Sequence, residues 1–228
     1  MDGSSKAAAR RTLALEAGEP EPEGKRARNK QQKRDRILKA ARELFTADGF
    51  SATTIQDVAT RAKVAAGTVF LYARSKEDLL IQALSGELEE AVAEMTATMP
   101  QDAPTVDRLM HIYAALIRYH AAIGREMSAL MLRELMYGTE ENRAGSNRAM
   151  QALDDLTAAA IVDGQKTGQL RSRVEMRLVN DTLFSVFYWL LIHWSLGRID
   201  GASLEAQVRE RVELCVRGLS RPGAARKA

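Results

Sequence analysis

KRDRILKAARELFTADGFSATTIQDVATRAKVAAGTVFLYARSKEDLL, residues 33–80, reads as three short helices and the start of a fourth, the second and third spaced closely enough to form a helix-turn-helix. Ile37, Ala40, Ala41, Leu44 and Phe45 fall at i, i+3, i+4, i+7 and i+8, a single apolar stripe, and Asp48-Gly49 supplies its stop. The second helix opens on Thr53 and Thr54, and the spacings Thr53 to Gln56 and Thr54 to Asp57 both suit a capping box. Hydroxyls and free amides in such a first turn can also donate to a phosphate. Ile55, Val58, Ala59 and Ala62 then repeat the stripe. The third helix, about residues 65–72, sends Val69 inward and divides Ala66, Gly67, Thr68, Phe70, Leu71 and Tyr72 between a DNA groove and its rims. Ser75 with Glu77 and Asp78 in the following turn starts the fourth.

A basic run leads into this stretch: Lys25, Arg26, Arg28, Lys30, Lys33, Arg34 and Arg36 face only Asp35. It is either a solvated charged segment or an arm laid along phosphates or into a minor groove. Over all 228 residues the formal net charge is only +3, so placement of charge carries the information rather than its sum.

Working outward, residues 1–24 mix Ala, Gly, Ser, Glu and Pro without a sustained period, the composition of a flexible leader, and 221–228 form a matching tail. No proline interrupts residues 105–221, and apolar residues recur there at three and four with no strand-like alternation. The fold class is all-α, with about nine helices: an N-terminal helix-turn-helix domain over 25–84 and a helical effector-binding and dimerisation domain over 85–220. Candidate helices after the segment MPQDAP at 99–104 lie near 105–122, 126–136, 146–166, 175–196 and 203–218.

The single Cys215 excludes an internal disulfide framework and suits a reducing, cytoplasmic compartment. No apolar run of signal-peptide length opens the chain, and the most apolar stretch, residues 183–196, is short for a bilayer crossing and contains His193. It reads as a buried helix, with no membrane partner expected.

In order and spacing, Ile37 to Phe45, Gly49-Phe50, Thr53-Thr54, Ile55, Asp57-Val58-Ala59, Val64, Gly67-Thr68-Val69 and Ser75 to Leu80 resemble the N-terminal domain of the TetR/AcrR family of bacterial one-component regulators. That resemblance covers about 48 residues; beyond residue 84 it is architectural. It implies a homodimer on a near-palindromic operator, a ligand cavity in the C-terminal domain and dimer contacts through the last two helices. Carried onto matching positions, Thr54 and Lys76 would hold phosphates, Tyr72 a phosphate or base edge, and Gly67 and Thr68 would approach bases. Lys63 stands where the family has a turn glycine, Ala65 a capping serine, Ala66 commonly a lysine, Phe70 a tyrosine and Ala73 an aromatic. The DNA-facing set is thus Thr53, Thr54, Lys63, Ala65, Ala66, Gly67, Thr68, Phe70, Leu71, Tyr72 and Lys76. With few side-chain donors among them, base readout leans on apolar contact, Leu71 or Ala66 against thymine methyls.

For an effector, His111, Tyr113, Leu116, Tyr119, His120, Met127, Met131, Leu135, Phe184 and Phe187 offer adaptable apolar and aromatic surface, pointing to a small hydrophobic molecule. For the dimer, Trp189, Leu190 and Trp194 on one helix and Leu204, Val208, Val212 and Cys215 on the last suit a four-helix interface. Three histidines without metal-ligand spacing, and no glycine-rich phosphate loop, give no signature of an enzyme or cofactor. The expected function is a ligand-released, sequence-specific repressor. The alternatives are an effector-independent nucleoid or cell-cycle DNA binder of the same fold, or a helical ligand carrier or enzyme.

Overall fold

The computed structural model describes residues 23–138, 140–171 and 175–220; of the expected leader only Glu23 and Gly24 fall among them, as the start of a helix, and the rest of it, like the tail, lies outside the described residues. By compactness the chain divides into two units, residues 1–36 and 37–228. Eight helices make up the described residues, joined by turns and by one isolated antiparallel bridge, Leu170 to Ser220.

Helix α1 runs Glu23–Asp48, α2 Ile55–Ala62, α3 Ala66–Val69 and α4 Lys76–Ala97. The first helix is therefore not short: the basic run is helical too, because 25–36 contains neither glycine nor proline and is rich in good helix formers. The third is shorter than expected. Four residues are α-helical, and the chain then turns more tightly, Leu71 N donating to Thr68 O at 3.2 Å and Tyr72 N to Val69 O at 2.9 Å.

Helix α5 spans Thr105–Tyr137, α6 Glu140–Lys166, α7 Met176–Ser195 and α8 Gly201–Leu219. The two helices expected at 105–122 and 126–136 are the halves of α5, broken where Gly124 adopts φ 83°, ψ 167°. Counting those halves separately recovers the expected number. Helix α6 starts earlier than expected, at Glu140.

Helix α4 packs on α5 and α6, and α5 in turn on α6, α7 and α8. Their interior is filled by Leu84, Met95, Leu109, Ile112, Ile161, Leu183, Leu190 and Val208, each at helical spacing on its own element. Buried polar groups are mostly partnered inside this core. Tyr119 Oη donates to Leu84 O at 3.2 Å and Tyr188 Oη to Leu132 O at 2.6 Å.

His120 is one of these buried groups. Ser128 Oγ donates to the His120 carbonyl at 3.2 Å, which leaves the same oxygen to accept from His120 Nδ1 at 3.1 Å and assigns the ring proton to Nδ1. Burial pulls its pKa down to about 4 from 6.5, so the ring is neutral in the folded chain. Because the unfolded chain protonates this histidine first, the folded state loses stability as pH falls from about 6.5 towards 4, by roughly 3 kcal/mol from this group alone. Urea denaturation followed across that range should show this acid-side slope. His120→Leu should flatten the part of the slope that lies between those two values.

Candidate nucleic-acid interface

Ile37, Ala41, Phe45, Val58, Ala59, Val69 and Ala73 close a small core among α1, α2 and α3, with the Phe50 ring 5.3 Å from that of Phe45. Ion pairs tie its outside: Arg61 Nη2 to Glu43 Oε2 at 2.8 Å links α2 to α1, and Arg42 Nη1 to Glu87 Oε1 at 3.2 Å links α1 to α4. At its far end α4 reaches back, Gln82 Nε2 donating to Tyr72 O at 2.9 Å. Asp78 receives Arg74 N at 2.9 Å, and its own N donates to the capping Ser75 Oγ at 3.0 Å. The segment from α3 to Tyr72 is held on both sides.

Of the two threonines before α2, only Thr54 is the cap. Its hydroxyl accepts from Asp57 N at 3.1 Å while its own N donates to Asp57 Oδ2 at 2.8 Å, a full capping box; the hydroxyl also donates to Asp57 Oδ2 at 2.6 Å, and that bond, with the backbone one, lowers the Asp57 pKa. Thr53 points the other way. Its hydroxyl donates to Gly49 O at 2.9 Å and it is 3% exposed, so it closes the α1–α2 turn and offers nothing to a phosphate. That removes Thr53 from the DNA-facing set.

Between α2 and α3, Lys63 sits at φ 56°, ψ 51°, the left-handed region a glycine would enter freely, and its amide caps α2 by donating to Thr60 O at 3.2 Å. Ala65 is the residue before α3 and makes no side-chain cap bond. Gly67 is exposed with nothing within 4 Å of where a Cβ would lie, so close backbone approach is unobstructed there. Phe70 and Leu71 are 55% and 79% exposed, whereas Ala66, Thr68 and Tyr72 are half-buried. A large leucine standing almost entirely in solvent beside an exposed phenylalanine is not core packing.

Lys76 lies with Nζ 4.4 Å from the centre of the Phe50 ring and 3.4 Å from Ser51 O, on the same turn. Helix α5 reaches this turn as well. Just past the Gly124 break, Glu126 Oε1 accepts from Ser51 Oγ at 3.2 Å, and a Cβ on Gly49 (φ 88°) would come within 3.2 Å of Glu126 Oε2. No sequence signal marked Glu126, which is 75 residues from its partner.

On the other side of the break, Ala91, Met95, Thr98, His111, Arg118, Tyr119 and Ala122 line a cleft of about 260 Å³ between α4 and α5. His111 Nε2 lies 3.1 Å from Thr98 Oγ1 and 3.2 Å from Met95 O. Of the residues expected around an effector, His111 and Tyr119 line this cleft. Tyr113, Leu116, His120, Met127, Met131 and Phe187 are packed in the core, Tyr113 against Phe187 with rings 5.0 Å apart, and Leu135 is partly buried against it. Phe184 lies on the outside, its ring against Tyr188.

The residues expected at a dimer interface divide in the same way. Leu190, Trp194, Leu204, Val208 and Val212 turn into the chain's own core, and Cys215 is half-buried against it. Outside stand Trp189 at 59% and Leu178 at 62%, eleven residues apart and so on one face of α7, with Leu214 exposed on α8. Between them Thr182 and Ser185 donate their hydroxyls to the carbonyls one turn back, at 2.7 and 2.6 Å, which leaves that face without an unmet donor.

A short presented helix, seated on two partners and backed by a helical body, defines a helix-turn-helix DNA-binding transcriptional regulator. Residues 37–83 match the profile of the bacterial regulatory proteins, tetR family. Over 197 residues the chain is 22% identical to the fatty acid metabolism regulator protein of Bacillus subtilis, covering 84% of this chain and 98% of that one. Against the transcriptional repressor KstR of Rhodococcus jostii it is 29% identical over 199 residues, 86% of each chain. The crystal structure of Thermus thermophilus FadR, a TetR-family repressor in complex with lauroyl-CoA, superposes with a TM-score of 0.67 at 27% identity, covering 83% of this chain and 97% of that one. Residues 37–83 thus resemble the DNA-binding unit of the tetR family, and over most of its length the chain is similar to TetR-family transcriptional regulators. Among the described residues no helix is long and apolar enough to cross a membrane, and no cluster of side chains could hold a metal ion.

Lys63→Gly separates folding from binding at this surface. Relieving the left-handed lysine should stabilise the fold by about 1 kcal/mol in urea, while removing its charge should weaken DNA binding and flatten its salt dependence.

Proposed function

We propose that the chain is a homodimeric repressor that leaves its operator when a hydrophobic effector, first of all a long-chain acyl-CoA thioester, occupies the region between α4 and α5. Residues 25–84 would carry the DNA contacts and 85–220 the effector and dimer contacts. The observation that carries the DNA reading is the exposed pair Phe70 and Leu71 on a segment fixed from both sides. Lys63, Tyr72 and Lys76 surround it with groups able to meet phosphates, and Thr54 would do so by turning its hydroxyl proton away from Asp57 Oδ2, while Gly67, Thr68 and the apolar pair approach bases. Few of these side chains can donate to a base edge, so the reading of sequence rests on contact with thymine methyl groups.

The acyl-CoA assignment is supported by the similarity to the lauroyl-CoA-bound repressor of Thermus thermophilus and by the adaptable methionines Met95, Met110, Met127 and Met131 buried on α4 and α5. A cleft of about 260 Å³ falls below the roughly 300–1,000 Å³ of small-molecule pockets. A long acyl chain must therefore select a form in which α4 and α5 have parted, and this differential affinity is what a population shift requires. Ala122 on the cleft wall and Glu126 on the helix-turn-helix lie on either side of the Gly124 break. Parting the cleft would move Glu126, the turn it holds and the spacing of two recognition segments that must sit about 34 Å, or a multiple of it, apart. For the second copy we propose the α7 face carrying Leu178, Thr182, Ser185 and Trp189, with Leu214 of α8.

Fluorescence anisotropy on DNA from upstream of the chain's own gene, with and without a long-chain acyl-CoA, tests the reading. Binding should fall with salt, exceed that to unrelated DNA and be lost on adding the thioester; binding unchanged by acyl-CoA would remove the effector assignment. Trp189→Glu should sediment as a monomer and lose operator binding. Leu71→Ala should change preference among sequences and blunt the effect of replacing thymine by uracil in the operator, whereas equal loss on every sequence would refute the groove assignment.

A further inference from the structure

Residues 25–36 precede the matched family residues, and no contact of their own was assigned to them within the DNA-binding part above. They are helical, and all seven of their cations except half-buried Arg34 are exposed. At 3.6 residues per turn Lys25, Arg26, Lys30, Lys33, Arg34 and Arg36 fall within about half of the circumference. Ala27, Gln31, Gln32 and Asp35 occupy the other half together with Arg28, and Asp35 Oδ1 accepts from Gln31 Nε2 at 2.7 Å on that same side.

This arrangement works against the helix on its own. Like charges stand at i, i+3, as in Lys33–Arg36, and Arg26 lies in the first turn, at the positive end of the helix dipole. A face made for water would mix both signs. A polyanion lying along it relieves such repulsion.

We propose that residues 25–36 form a helical phosphate-binding arm that adds sequence-independent affinity for DNA, a role that rests on the DNA-binding reading above. A rod about 10–12 Å across does not enter a minor groove about 6 Å wide, so the arm follows the sugar-phosphate backbone. Over its ~17 Å of length duplex DNA presents about ten negative charges to the six cations of one face. An anionic membrane surface is the weaker fit, because a helix lying in a bilayer interface needs a large apolar face and this segment offers only Ala27. The arm also ends at residue 36, directly before the matched DNA-binding residues, so its local concentration near the duplex is high without a linker.

The test compares the full chain with the triple variant Arg26→Gln, Lys33→Gln, Arg36→Gln and with Arg28→Gln, on operator and unrelated duplexes between 50 and 200 mM salt and on phosphatidylglycerol vesicles. The triple variant should lose affinity equally on both duplexes, keep its preference between them, and flatten the log–log salt slope by nearly three, which makes its loss of affinity across that range smaller by roughly forty-fold. Arg28→Gln should change the slope by far less than one. A triple variant with the parent slope overturns the arm, as does an Arg28→Gln effect equal per charge, or a loss confined to vesicles. If the parent itself shows no salt-dependent DNA binding, the DNA-binding reading fails and takes the arm with it.

Discussion

A helix of four residues does not hold itself together: nucleating a single turn is unfavourable, and isolated helices need about 12–15 residues to be even marginal in water. Everything the α3 segment can do therefore depends on the small core beneath it. Val69 is the anchor, with no exposure at all, seated among Ile37, Phe45, Val58 and Ala73. Gln82 holds the Tyr72 carbonyl at the far end and the left-handed Lys63 sets the entry. With its inward side fixed at these points the segment can afford to leave Leu71 in solvent, and that exposed side chain gives the surface its meaning.

The same economy explains how the two parts of residues 37–228 can communicate. The turn at Gly49, Phe50 and Ser51 is met by Lys76 from α4 and Glu126 from α5, the two helices that also wall the cleft at Met95, His111 and Tyr119. A change in their separation has a short mechanical route to the α1–α2 turn. Gly124 breaks α5 between the cleft and that contact, where φ 83° would strain any residue with a Cβ.

How much of this the sequence disclosed follows the range of the interactions. The three helix-turn-helix stripes are local and periodic, so Ile37, Ala41, Phe45, Val58 and Val69 were legible as core. Adjacent Thr53 and Thr54 were not separable by spacing, since both have an acceptor or amide partner three residues on; the sharp turn at Gly49 draws the Thr53 hydroxyl inward and decides the matter. The stripe Leu204, Val208, Val212 told which side of α8 is apolar but not whether that side meets the chain itself or a second copy, and it meets the chain itself. Leu178, eleven residues before Trp189, carried the period of the outer face and could have been found. The Ser51–Glu126 bond could not, because nothing local encodes a contact across 75 residues.

Hydroxyl-radical footprinting of the full chain on the DNA upstream of its own gene addresses the central claim most directly, that the segment ending at Tyr72 enters duplex DNA twice from one twofold assembly. The account predicts two protected patches on one face of the duplex, centred about 10 base pairs or a multiple of that apart. A single patch, or even protection along the whole fragment, would contradict it.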